Sequence, residues 1–165
     1  MPFTVFLSYS VDAHEQAIVW RIQTLAAAQG IQVFVPERSG AHLPSSRRSA
    51  LLEDQARQAI DRSDCVLAII TASTGTAVQK ELSYALGKNK LIIPIVEEGV
   101  PEHFFWNKFN PVFRFSRWDA NPGKVEGEVS AFLARQKKDK DLRQGIGAIV
   151  AIGLGLLALA ALSKK

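Results

Sequence analysis

The chain has 165 residues, 47% of them hydrophobic and 22% charged, with 20 Lys and Arg against 16 Asp and Glu. Seven of the basic and two of the acidic residues lie from Arg135 onward, so residues 1–134 are nearly neutral and offer no basic reading surface for nucleic acid. Cys65 is the one cysteine, which excludes an internal disulfide and a cysteine metal cluster, and His14, His42 and His103 lack ligand spacing, so no metal is expected.

The opening MPFTVFLSYS has no basic region and is too short and polar for a signal peptide. Within it FTVFLS, residues 3–8, reads as a buried strand. Asp12 then resembles an N-cap, with Glu15 completing a capping box. Ile18, Ile22 and Leu25 follow at helical spacing, and Gly30 ends that helix. Residues 31–35 form a second strand, and 36–46, with Pro36, Gly40 and Pro44, a loop. A helix is expected over 49–63, with Leu52, Ala56, Ala59 and Ile60 on one face. CVLAIIT, residues 65–71, is apolar on both faces, as a central parallel strand should be. Thr76 and Gln79 form a second possible capping box, opening a helix that Gly87 closes. LIIPIV, 91–96, and PVFRF, 111–115, are further strands, with an irregular aromatic stretch between them. A last helix spans 122–138, with Val125, Val129, Phe132 and Leu133 inward.

Residues 146–162, IGAIVAIGLGLLALAAL, carry no charge. With Gly145 and Ser163 they rise roughly 28 Å as a helix, close to a hydrocarbon core of about 30 Å. Five basic residues precede this run and two follow it. The positive-inside tendency then puts the N-terminal domain in the cytoplasm, on a single-pass C-terminal membrane tail. The expected organisation is a domain over 1–135, a charged juxtamembrane linker over 136–144, and a transmembrane helix over 145–163. Gly147, Ala151 and Gly155 share one face of that helix, which permits close approach of a second one.

Strands alternating with helices imply an α/β fold, a doubly wound, flavodoxin-like five-stranded parallel sheet. Ligands of such sheets bind at the carboxyl ends of the strands. Three segments reach that edge: Ser8, Tyr9 and Ser10; the 36–46 loop; and the turn containing Ser73, Thr74 and Gly75. Glu81 lies about 60° from the buried Val78 on the following helix, at the rim between core and crevice. Phe34 or Tyr9 offers a ring for stacking, with core packing the competing role for Phe34. Arg38, Arg47 and Arg48 stand in or after the second loop, two of them near a helix N-terminus where the dipole disfavours cations. A pyrophosphate, a solvated loop and a protein-contact surface each account for that placement.

The order of these motifs resembles the TIR (Toll/interleukin-1 receptor) domain family. FLSYSVDAHEQAIVWRIQTLAAAQGIQVFV is similar to the family's opening. CVLAIITAS, VQKELSYAL and LIIPIV are similar to its central strand, glutamate-bearing helix and next strand. The resemblance covers roughly residues 3–135. It implies cleavage of NAD+ at the nicotinamide–ribose bond with Glu81 as the catalytic carboxylate, NAD+ being substrate and no cofactor being required. The implied setting is defence or cell-death signalling, with other TIR domains as partners. Substrate contacts are expected from Ser8, Tyr9, Ser10, Phe34, Arg38, Arg48, Ser73, Thr74 and Gly75. The sequence departs from the family at Ala77 and Val78, where many NAD-cleaving members carry Trp-Cys. Phe105-Trp106 resembles a late Phe-Trp box. Two alternatives stand beside this reading: a non-enzymatic scaffold that assembles TIR domains through the 38–46 loop, and a nucleoside deoxyribosyltransferase-like enzyme with a glutamate on a comparable helix.

Overall fold

The computed structural model describes residues 1–10, 13–37, 45–101, 109, 111–121 and 123–162, with the side chains of 13, 45–49 and 145–162 excepted. Five strands form one parallel sheet: β1 (Phe3–Ser8), β2 (Ile31–Phe34), β3 (Cys65–Ile70), β4 (Leu91–Glu97) and β5 (Phe113–Phe115). Four helices connect or follow them: α1 (Ala13–Ala28), α2 (Ser45–Arg62), α3 (Thr76–Gly87) and α4 (Lys124–Leu162). The spatial order β2-β1-β3-β4-β5 is the flavodoxin-like one, with its topological switch point between β1 and β3.

The pleat divides the core into two layers. Phe3, Val5 and Leu7 of β1 face α1 and α4, together with Ile18, Ile22, Val129 and Leu133. Phe6 faces the other way, with Ala56 and Ile60 of α2 and Val78, Leu82 and Ala85 of α3. All six residues of β3 are buried, because helices cover both its faces.

Several local expectations change. The inward stripe of α1 ends on Ala26, which is fully buried, whereas Leu25 is exposed. Glu15 accepts a hydrogen bond from the Ser10 backbone N–H, and Asp12, the N-cap of the expected capping box, lies outside the described residues. The α3 N-cap is Gly75, without a side-chain cap, in place of a Thr76–Gln79 box. Gly87 is the last residue of α3, and the left-handed residue that turns the chain is Asn89 at φ 54°. Asparagine tolerates this region because its short amide clears the backbone. The Lys90 N–H reaches back to the Ala85 carbonyl at 3.0 Å and satisfies the helix end. At Gly30 φ is +65°, as a helix-ending glycine requires.

The charged stretch 136–144 is not a break between helices. It continues α4, and two of its lysines pin it beneath the sheet. Lys137 Nζ donates to the Gln29 carbonyl at 2.8 Å. Lys140 Nζ reaches Asp64 at 2.8 Å and sits 5.8 Å from the centre of the Phe3 ring. The α4 backbone stays helical to Leu162. The expected membrane span over 145–163 falls on residues whose side chains lie outside the description. Among the described residues no helix is long and apolar enough to cross a membrane.

Asp64 ties this base together. Partial burial disfavours its charge, but hydrogen bonds from Lys140 and from the Thr4 N–H outweigh that and lower its pKa below the ordinary 3.8. A depressed carboxyl stabilises the fold above the unfolded-state value, and the contribution disappears as pH falls through the lower folded value. Asp64→Asn should therefore cost about 1 kcal/mol near neutral pH, a modest figure because the pair is part-exposed. The deficit should shrink to nothing well below pH 3.8, as measured by urea unfolding across that range.

Candidate active site

The alternation of β1 decides the site. Ser8 falls on the Phe6 face, toward α3, and is fully buried. Its hydroxyl donates to Glu81 Oε2, a buried contact that spans 73 residues of sequence. Glu81 is 6% exposed and is one of the four buried positions of α3, so it sits deeper than the rim position the helical wheel suggests.

A second buried carboxylate, on the helix that follows β1, is held by the turns at the same edge of the sheet. Glu15 is fully buried, accepting from the Ser10 N–H at 2.7 Å and from Thr71 Oγ1 at 2.6 Å. Ser10 Oγ in turn accepts the Gly75 N–H at 3.0 Å. Thr74 Oγ1 accepts the Thr71 N–H at 2.9 Å and donates to the Thr71 carbonyl at 2.8 Å. These bonds knit the turns after β1 and β3 and set the start of α3, and therefore the position of Glu81.

Glu81 borders a cavity of about 230 Å³ between the end of β2, α2 and α3. Its walls are Pro36 and Glu37; Leu52, Glu53, Ala56, Arg57 and Ile60; and Thr76, Ala77, Lys80 and Tyr84. That volume is below the roughly 300–1000 Å³ usual for a whole drug-sized ligand, so it holds one sugar or one ring with the remainder outside. Ala77, one of the two positions where the sequence departs from the resemblance, is a cavity wall. Among the described residues the aromatic one lining the cavity is Tyr84, one turn beyond Glu81. Its hydroxyl donates to Asp61 at 2.9 Å, and Arg57 lies 5.5 Å from its ring centre.

The sequence-predicted contacts divide. Ser8 reaches Glu81. Ser10, Thr74 and Gly75 build the neighbouring turns, and Ser73 is exposed. None of these four lines the cavity. Tyr9 is buried in the layer facing α1 and α4, on the far side of the sheet, and cannot stack on a ligand beside Glu81. Phe34 is neither core nor cavity wall. It is 45% exposed, stacked on Phe6 at 5.8 Å, and borders a separate groove with Gln55 and Arg62. Arg38, Phe105 and Trp106 lie outside the described residues, as do the side chains of Arg47 and Arg48. Sequence reading missed Glu53, Arg57, Lys80 and Tyr84. The signal for the last two was available, since they stand one and three residues from Glu81. The first two belong to a helix that meets α3 only in the fold.

Burial pushes the Cys65 thiol far above its ordinary range, which makes it inert as a nucleophile at neutral pH. Among the described residues no group of three His, Cys, Asp or Glu side chains is placed to hold a metal ion.

Known proteins share this architecture. The CMP N-glycosidase of Clostridium botulinum is 16% identical with a TM-score of 0.53, over 79% of this chain and 97% of that one. The 2-deoxyribosyltransferase of Bacillus psychrosaccharolyticus is 14% identical with a TM-score of 0.58, over 79% and 95%. A diflavin flavoprotein of Nostoc sp. is 15% identical with a TM-score of 0.57, over 87% and 97%. At these identities the likeness is one of fold. Among curated protein sequences none matches. The model of the TIR domain matches residues 5–127, most of the chain, and the chain belongs to the TIR domain family.

Proposed function

We propose that this TIR-domain protein cleaves NAD+ at the nicotinamide–ribose bond, with Glu81 as the catalytic carboxylate. The observation that carries the reading is a buried carboxylate, held by Ser8, at the wall of a cavity sized for one sugar. The chemistry suits such a group. When the C1′–N bond breaks, its electron pair leaves with nicotinamide, which departs neutral, and C1′ becomes part of an oxocarbenium-like cation. A negative charge fixed beside the sugar stabilises that cation, or orients the ribose hydroxyls, more in the transition state than in the ground state. Water then adds to C1′ and releases a proton, or an atom of the same molecule adds and closes a ring. A low-dielectric wall strengthens the interaction, as at the carboxylates of glycosidases. One of the similar folds is itself an N-glycosidase, acting on CMP.

The biological role we propose is defence or cell-death signalling through association with other TIR domains. We also propose that residues 145–163 attach the protein to a membrane, on the strength of the uncharged 146–162 sequence alone. Attachment concentrates domains without new contacts. A scaffold without turnover is the second reading, favoured by the absence of an aromatic side chain at Ala77. A deoxyribosyltransferase-like enzyme is the third, and exchange of bases between deoxyribonucleosides would reveal it.

The full chain, free and artificially clustered, should release nicotinamide from NAD+. Glu81→Gln should reduce the rate by about 10²–10³, the cost of losing one preorganised electrostatic partner. Ser8→Ala should reduce it by about tenfold, because one charge-assisted hydrogen bond positioning the carboxylate is lost. Release that is insensitive to Glu81→Gln, or no release in either state, removes the enzymatic reading. Partner capture that survives Glu81→Gln would then support the scaffold.

For the membrane tail, the full chain should stay with the membrane fraction through an alkaline carbonate wash. A chain ending at Arg143 should appear in the soluble fraction. Release of the full chain by carbonate sinks the anchor.

A further inference from the structure

At the mouth of the Glu81 cavity one acidic side chain is shared by two cations. Glu53 of α2 accepts from Arg57 at 2.6 Å through one oxygen and from Lys80 of α3 at 3.0 Å through the other. All three line the cavity. The two cations are 49% and 63% exposed and Glu53 is 30% exposed, so the bridge lies at the solvent side, whereas Glu81 is buried. Exposed ion pairs of this kind contribute little to stability, so holding the fold does not account for two cations converging here.

Arg57 is oriented independently of Glu53. It lies over the Tyr84 ring, and the Tyr84 hydroxyl is tied to Asp61. Lys80 is adjacent in sequence to Glu81. Arg57 therefore keeps its place over Tyr84 if Glu53 leaves, Lys80 is freed by the same step to meet an anion, and Glu53 can leave by rotating one partly exposed side chain. A guanidinium beside an ammonium is a matched receptor for a phosphate, the first by its planar fork and the second as a point charge. The buried Glu81 repels an anion from the interior and confines it to the mouth, where the exposed Glu37 is a further lining residue.

We propose that Arg57 and Lys80 form a phosphate subsite for a 5′-nucleotide whose ribose lies against Glu81, and that Glu53 is its built-in competitor, displaced when the phosphate binds. This rests on the proposed placement of a ribose beside Glu81, but not on any cleavage. The subsite makes the cavity selective for nucleotides over nucleosides, and Glu53 weakens that selectivity.

The test is calorimetric titration of the full chain with AMP and with adenosine, which differ by the phosphate alone. Glu53→Gln keeps the shape and removes the competing charge, so AMP should bind about tenfold more tightly, with adenosine unchanged. Arg57→Gln with Lys80→Gln should weaken AMP about tenfold, toward the affinity of adenosine. The proposal is overturned if Glu53→Gln leaves AMP affinity the same or lower, if it shifts both ligands equally, if the double variant retains the AMP preference, or if AMP does not bind. Because neither ligand contains nicotinamide, a protein that discriminates AMP yet releases no nicotinamide from NAD+ loses only the enzymatic reading. A protein that cleaves NAD+ without preferring AMP loses only the subsite.

Discussion

A carboxylate removed from water costs several kcal/mol unless hydrogen bonds or a counter-charge answer it. The C-terminal edge of this sheet is organised around two such groups. Glu15 and Glu81 come from the helices that follow β1 and β3, the two strands flanking the switch point. Each is met by a donor from the end of β1, the Ser10 N–H for one and the Ser8 hydroxyl for the other. Because the pleat alternates, residues 8 and 10 bracket Tyr9, which turns into the opposite core layer. The short Ser-Tyr-Ser turn thus anchors one layer while its neighbours position acids. Register is strict under these conditions, since a slip of one residue would put Tyr9 where Ser8 meets Glu81.

The buried acids share a chemistry and differ in what surrounds them. Both oxygens of Glu15 are occupied, by Ser10 and Thr71, and it does not border the cavity. Its work is to hold two turns together. Glu126, on the α1–α4 side of the sheet, is bonded by Arg21 at 2.7 Å and is 1% exposed, and its second oxygen has no hydrogen-bond partner among the described residues. It lines a separate cavity whose cations are balanced by acids, which selects no ligand of one charge. Glu81 combines burial, a hydroxyl donor and a cavity wall. Environment, and not residue type, singles it out.

The architecture was legible because its signals are one-dimensional. The all-apolar β3 run, the β-former-rich β1 and the Gly30 stop each depend on a few adjacent residues, and strand–helix alternation then restricts the topology to few choices. Glu81 was visible as the polar residue nearest the inward face of α3. Its partner was only half visible, for Ser8 was marked as a residue at the strand end, but a hydroxyl-to-carboxylate contact across 73 residues has no local signature. The same holds for Glu53 and Lys80, which meet only because α2 packs on α3. Of the misplaced residues, Leu25 was read from helical spacing, whereas Tyr9 and Phe34 were read as stacking rings from their place at the strand ends. At an edge strand such as β2, or at the end of a helix, period does not reveal which face the core covers. Phe34 sits on the outermost strand, where Phe6 stacks against it.

The course of α4 fixes how the site is presented. The helix begins near the C-terminal edge of the sheet, packs Val125, Val129 and Leu133 against one face, and is then pinned at the opposite edge by Lys137 and Lys140. Lys140 meets Pro2, Phe3 and Asp64, which lie where β1 and β3 begin. In a parallel sheet every strand begins at that edge and ends at the other, so the Glu81 cavity lies at the end of the domain remote from where α4 leaves it. Whatever holds the far end of α4 therefore approaches the base of the sheet. Among the described residues none of α4 lines the Glu81 cavity, and the lysine contacts that set the course of α4 are formed within the folded domain itself.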